Sequence, residues 1–140
     1  MNVKSLLITI VVAFLVIFAT DFVIHGVWLS STYGATKQLW RPESEMQGFM
    51  PCLAAGQFLA AATFTVLWAV GFAENAKLSC ALKYGLFMGL FHQANTLITY
   101  AVMPLTRGIA AKWFVAGLAQ SLIVAAVVFF VYKPKPATAA

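Results

Sequence analysis

Two ionisable side chains, Asp21 and His25, stand four residues apart in the first apolar stretch of the sequence. This spacing places both side chains on the same face of a helix, where they can contact each other. A carboxylate beside an imidazole can hold one ring tautomer, share a proton, or support a histidine that binds a metal ion. Asp21 and His25 are therefore candidates for proton handling and, on weaker grounds, for binding a single metal ion.

Further polar residues extend this pair in the other apolar stretches: Gln57, His92, Asn95 and Gln120. With a rise of about 1.5 Å per residue, all six polar groups fall roughly 6 to 18 Å from the same side of a set of antiparallel helices. Polar groups at similar depth in neighbouring apolar helices form either a hydrogen-bond network that holds the helices together or a binding site. The sequence thus predicts one polar cluster, and both roles stay open.

The two histidines could in principle bind a haem from two sides. The same rise separates His25 from His92 by roughly 12 Å along the helix axes, whereas two axial ligands flank a single iron. This separation disfavours a haem held by both histidines of one chain. A metal ion on Asp21 and His25 lacks an evident third ligand, so the sequence leaves the cofactor open.

The sequence contains no nucleophile and base motif, no phosphate-binding loop and no dinucleotide fingerprint. An enzyme is therefore the least favoured class of function.

The elements that position these residues are long apolar helices. Apolar residues make up 62% of the 140 residues and charged residues 9%, against about half and about a quarter in an average soluble domain. A membrane crossing needs about 20 apolar residues, and four stretches meet this length. The prediction is an all-α integral membrane protein, a single four-transmembrane-helix bundle over residues 1–140, with a flexible polar tail at 133–140. The predicted spans cover residues of about 6–29, 50–72, 81–105 and 112–132.

The third span carries a stripe of small residues. Gly85 and Gly89 form a G-x-x-x-G frame, which lets two helix backbones approach closely. His92 and Thr96 continue the same stripe, so we expect His92 to point into a contact between two helices.

The longest polar stretch joins the first two spans and predicts a short interfacial helix or loop on the outer face. Trp28, Trp40 and Arg41 flank or occupy it, and such residues are typical of the membrane–water interface. These three residues are candidates for contacting a lipid or quinone head group.

The basic residues predict the orientation. If both termini are cytoplasmic, five Lys or Arg residues lie inside and four outside, which favours cytoplasmic termini in the cell (inner) membrane. The net charge of +5 is thereby explained by topology and lipid contact, and no nucleic-acid partner is expected.

Three functional hypotheses follow. The first is a non-catalytic accessory or assembly subunit that packs against other subunits of a larger membrane complex. The second is a small carrier or channel, working as a homo-oligomer, that uses the polar cluster for protons, metal ions or small polar solutes. The third is a membrane module that binds a quinone, a lipid or a single metal ion.

Overall fold

The computed structural model of the protein describes residues 1–135. Every regular element in that range is helical, which confirms the all-α prediction. The predicted tail at 133–140 lies mostly beyond the described residues. The elements in chain order are α1 (Val3–Asp21), a π-helical segment (Phe22–Trp28), α2 (Ser30–Gly34), a 3₁₀ turn (Lys37–Leu39), α3 (Glu43–Gly71), α4 (Leu78–Val102) and α5 (Arg107–Val131).

By length and composition, three helical stretches could cross a membrane: Val3–Trp28, α3 and α5. This finding fits a multi-pass membrane protein. Helix α4 has the same 25-residue length as α5 but carries more polar side chains.

Local sequence explains where the long helices begin. Pro42 precedes the first residue of α3, and Glu43 and Glu45 occupy its first turn. The start of a helix tolerates proline, because no N–H is needed there, and carboxylates are stabilised at the positive end of the helix dipole. Helix α3 therefore begins before the predicted apolar span. The hydroxyl of Thr106 accepts a hydrogen bond from the backbone N–H of Ile109 at 3.3 Å and caps α5.

Helix α1 packs between α3 and α5, and α5 also packs along α4. Residues with little exposed surface form the core, among them Ala13, Ala61, Trp68 and Val128. We call the end of the molecule that holds α2 the cap end, and the opposite end, which holds the start of α1 and the end of α5, the terminal end. At the terminal end the backbone N–H of Lys133 donates to the Ser5 hydroxyl at 2.7 Å.

The predicted glycine stripe packs α4 against α5. A Cβ placed on Gly85 would lie 2.6 Å from the Cβ of Ala125, so only glycine allows this approach. The expectation that His92 points into the same contact is wrong, because His92 is exposed. Gln93 takes that place instead and is only 2% exposed, since a step of four residues from Gly89 reaches position 93.

Large aromatic side chains connect α3 to α4 nearer the terminal end. The hydroxyl of Tyr84 on α4 donates to the carbonyl oxygen of Phe64 on α3 at 2.6 Å. The ring of Tyr84 also lies 5.6 Å from Trp68 and 5.0 Å from Phe72, measured between centroids. These side chains hold the two helices together on the terminal side of a cavity that lies nearer the cap end.

Candidate functional site

A cavity of about 650 Å³ lies among the four long helices in the half nearer the cap end. Its lining is mainly apolar, with polar groups contributed by every long helix. The structure brings all six polar residues of the predicted cluster to the wall of this one cavity: Asp21, His25, Gln57, His92, Asn95 and Gln120.

Asp21 is the last residue of α1 and is held by two amides from other helices. The Nε2 group of Gln57 on α3 donates to Asp21 Oδ2 at 2.6 Å. The Nε2 group of Gln120 on α5 donates to Asp21 Oδ1 at 2.7 Å. Hydrogen bonds to a carboxylate are stronger than those between neutral groups, so this arrangement both fixes the carboxylate and ties three helices together.

The two amides differ in how their remaining atoms are satisfied. Gln120 Nε2 also donates to the hydroxyl of Thr20 at 2.7 Å. The Oε1 atom of Gln57 is buried and has no hydrogen-bond partner among residues 1–135. An unsatisfied buried acceptor costs roughly 1–3 kcal/mol, and such groups are rare in folded proteins.

His25 lies in the π-helical segment and has a different partner from Asp21. Its Nδ1 atom lies 2.6 Å from the hydroxyl oxygen of Tyr33 on α2, and that oxygen accepts a hydrogen bond from the indole N–H of Trp113 at 2.7 Å. An indole N–H can only donate, so the Tyr33 hydroxyl hydrogen is free to donate to Nδ1 of a neutral His25. The ring proton of His25 then sits on Nε2.

The expected side-by-side pair of Asp21 and His25 is therefore not formed. Within residues 1–135 each side chain is hydrogen-bonded to groups on other elements, and no hydrogen bond joins the two. The helix changes from α-helical to π-helical directly after Asp21, and such π turns frequently occur at functional sites.

Four aromatic rings form a group at the cap end of the cavity, which we call the aromatic cap: His25, Tyr33, Trp40 and Trp113. The rings of Tyr33 and Trp40 lie 5.0 Å apart, and those of Trp40 and Trp113 lie 5.9 Å apart. Burial raises the pKa of Tyr33 above its usual value, and the hydrogen bond from Trp113 offsets part of that rise. The Tyr33 hydroxyl therefore stays protonated at neutral pH and can donate a hydrogen bond to His25.

The three interfacial candidates have different surroundings. Trp40 belongs to the aromatic cap, whereas Trp28 is exposed, with the Lys112 ammonium 5.8 Å from its ring. The Arg41 guanidinium lies over the Phe49 ring at 3.9 Å and within 3.9 Å of the Glu45 carboxylate. Trp28 and Arg41 do not line the cavity, so a head group bound to them would lie outside it.

The sequence analysis did not predict three residues of the site: Tyr33, Gln93 and Trp113. Gln93 packs directly on Gly117 of α5 and accepts a hydrogen bond from the Thr96 hydroxyl at 2.8 Å. Its four-residue step from the glycine stripe was a usable signal. No local pattern marks Tyr33 or Trp113, because they come together across 80 positions of sequence.

The donor set limits what the cavity can do chemically. Over the described part of the chain, no group of three or more His, Cys, Asp or Glu side chains could hold a metal ion. The cavity offers one carboxylate, two imidazoles, several amides and hydroxyls, and aromatic walls. These groups can bind and orient a small molecule by charge, hydrogen bonding and apolar contact.

A comparison of the chain with protein-family models, curated proteins and solved structures gives no match. The functional assignment therefore rests on the chemistry of the cavity itself.

Proposed function

We propose that this chain is a four-span membrane protein that binds a small solute in its cavity and carries that solute across the membrane. The observation that supports this proposal is the position of Asp21. Its carboxylate is fixed by Gln57 and Gln120 at the wall of a cavity of about 650 Å³. Pockets that bind small molecules have volumes of roughly 300–1,000 Å³.

The lining of the cavity supports α4 as the fourth span. His92, Gln93, Asn95 and Thr96 lower the hydropathy of this helix, and all four line the cavity. Polar side chains in a span commonly face a cavity or another helix. The polarity of α4 thus agrees with a membrane-spanning helix that forms one wall of a binding site.

Aromatic contacts at both ends of the cavity favour a carrier over an open channel. The aromatic cap lies at one end, and the contact between Phe64 and Tyr84 lies at the other, with ring centroids 4.7 Å apart. A carrier exposes its site to one side at a time, so one of these two contacts must open in each step. The cavity lies within one chain, so solute binding does not require a homo-oligomer.

We also propose that both termini are cytoplasmic, in the cell (inner) membrane. In this topology Cys80 and position 103 lie on opposite sides of the membrane at the two ends of α4. Both residues are exposed. In a Cys52→Ser background, Cys80 should react with a membrane-impermeant maleimide only from the cytoplasmic side. A cysteine introduced by Met103→Cys, with Cys80→Ser, should react only from the outside. Labelling of both from one side would refute a spanning α4.

The accessory-subunit hypothesis stays a prediction, since apolar side chains on the outside of the helices suit lipid and protein partners equally. Native purification in mild detergent tests it, because an accessory subunit is recovered in a stoichiometric assembly.

Uptake by proteoliposomes tests the carrier proposal. Choline, mannitol and benzenesulfonate, each radiolabelled, represent a cation, a neutral solute and an anion that cross lipid slowly. We expect at least one to enter faster than into protein-free liposomes. Ala60→Trp places a large side chain in the cavity wall and should abolish this uptake.

Val70→Trp is the matched control, because Val70 lies on the same helix, is 74% exposed and is not part of the cavity wall. Equal uptake by the two tryptophan variants, or no uptake of any of the three solutes by the wild type, would overturn the proposal.

A further inference from the structure

The cavity has an unbalanced charge. Asp21 is the one carboxylate on its wall, and no lysine or arginine of the described chain lines it. The remaining ionisable groups there are two imidazoles, His25 and His92. A carboxylate in a membrane span is normally paired with a cation or faces water. The wall therefore presents a carboxyl group for which the described protein supplies amide partners and no fixed cation.

The Asp21 carboxylate can accept a further partner without losing its amides. Each of its oxygens accepts one N–H bond of 2.6–2.7 Å from Gln57 or Gln120. A carboxylate has about four lone-pair sites, so each oxygen keeps one. The two amides also hold the carboxylate in place in advance, which lowers the cost of ordering it when a ligand binds.

Aromatic rings line the same cavity. Phe64, Phe91 and Trp113 belong to three different helices and all contribute to the wall. The face of an aromatic ring attracts a cation within about 6 Å, and rings around a carboxylate are a common way to recognise an ammonium group. The mainly apolar lining suits the carbon substituents of an organic cation better than the hydration shell of a small inorganic ion.

We infer that the solute is an organic cation, a quaternary or protonated amine with a small apolar body. Its charge lies against the carboxylate of Asp21, and its carbon groups lie against Phe64, Phe91 and Trp113. This inference rests on the proposed function, because it names the class of solute that the same cavity takes.

A matched set of three probes isolates the effect of charge. Choline carries a quaternary nitrogen, 3,3-dimethylbutanol has a carbon at the same place, and 3,3-dimethylbutyrate carries a negative charge on a similar body. Binding of each probe to the full chain in lipid nanodiscs is measured by calorimetry. We expect choline to bind at least about 30-fold more tightly than the other two, the effect typical of a buried charge pair.

Substitutions then assign the effect to residues. Asp21→Asn should weaken choline binding by about 30-fold or more, whereas Glu74→Gln, which removes an exposed carboxylate outside the cavity, should not change it. Circular dichroism establishes that Asp21→Asn is folded.

A second pair of variants does not touch the Asp21 hydrogen bonds. Phe91→Leu should weaken choline binding by about 2- to 5-fold, the effect of one exposed cation–π contact. Phe87→Leu is the matched control, because Phe87 lies one turn away on α4, is also largely exposed, at 69% against 79%, and does not line the cavity.

The possible failures are distinguishable. If the alcohol binds as tightly as choline and Ala60→Trp abolishes both, the cavity binds solutes and only the inference about charge is wrong. If Asp21→Asn and Phe91→Leu both bind choline as the wild type does, the inference is also wrong. If choline does not bind at all, the inference is overturned, and uptake of mannitol or benzenesulfonate decides separately whether the carrier proposal stands.

Discussion

Gly85 on α4 faces the backbone of α5 at close range. A Cβ at position 85 would lie 2.6 Å from Ala125 Cβ and 2.9 Å from the carbonyl oxygen of Ser121. The Ser121 hydroxyl also donates to the carbonyl oxygen of Gly85 at 2.7 Å. We predict that Gly85→Ala pushes α4 and α5 apart, stretches this hydrogen bond and destabilises the protein.

The size of this effect follows from the contact distances. Carbon atoms in van der Waals contact lie about 3.5–4.0 Å apart, so the added methyl group requires a local separation of roughly 1 Å. Overpacking of this kind costs about 1–3 kcal/mol, and an interhelical hydrogen bond in a membrane contributes about 0.6 kcal/mol. Alanine returns about 0.5–1 kcal/mol of helix propensity relative to glycine. The free energy of unfolding should therefore fall by about 1–3 kcal/mol.

Unfolding of the purified protein by sodium dodecyl sulfate in mixed micelles, followed by far-ultraviolet circular dichroism, measures this change. Gly48→Ala is the matched control, because nothing lies within 4 Å of a Cβ added there. This control should match or exceed the wild type by up to about 1 kcal/mol. If Gly85→Ala is as stable as Gly48→Ala, α4 and α5 do not pack as closely as described.

Three further predictions concern the aromatic residues. Tyr84→Phe removes the hydrogen bond to the Phe64 carbonyl oxygen and should lower the free energy of unfolding by about 1 kcal/mol in the same assay; no change would mean that this bond does not join α3 to α4. Because burial raises the pKa of Tyr33, the stability that this raised pKa provides is present below pH ~10 and is lost as pH rises through the higher value of the folded protein. The absorbance difference between wild type and Tyr33→Phe should accordingly show a phenol that ionises at a higher pH than free tyrosine. Ionisation at the pH of free tyrosine would contradict a buried hydroxyl. Trp113→Phe removes a hydrogen bond that lowers the pKa of Tyr33, so the Tyr33 titration should move further upward in that variant; a downward shift would contradict the bond.

The depth of the polar residues could be predicted from the sequence because it depends only on the helix rise and on the ends of the apolar stretches. Counting residues placed Asp21, Gln57 and Gln120 at similar depth, and the structure brings them into one hydrogen-bonded group. The beginning of α3 at Glu43, ahead of the predicted span at 50–72, agrees with Pro42 before it and carboxylates in its first turn.

The lateral arrangement could not be predicted in the same way. Which helix lies beside which depends on side-chain packing across long sequence distances, so the sequence did not reveal that Tyr33 takes His25 as its partner. The π-helical turns after Asp21 lack a local sequence signal, and they decide where His25 lies. On α4, Gln93 rather than His92 occupies the helix contact, although both the three-residue step from Gly89 to His92 and the four-residue step to Gln93 are compatible with one helix face.

Photolabelling tests solute binding in the cavity most directly. Two phenyldiazirines, one with a trimethylammonium group and one with a hydroxymethyl group, are activated by light on the protein in nanodiscs, and the labelled residues are mapped by mass spectrometry. If the cavity binds solutes, at least one probe labels cavity residues such as Gln57 and His92, and Ala60→Trp removes this labelling while Val70→Trp keeps it. Labelling confined to outward-facing residues such as Ile123, or cavity labelling that persists unchanged in Ala60→Trp, would contradict solute binding in the cavity.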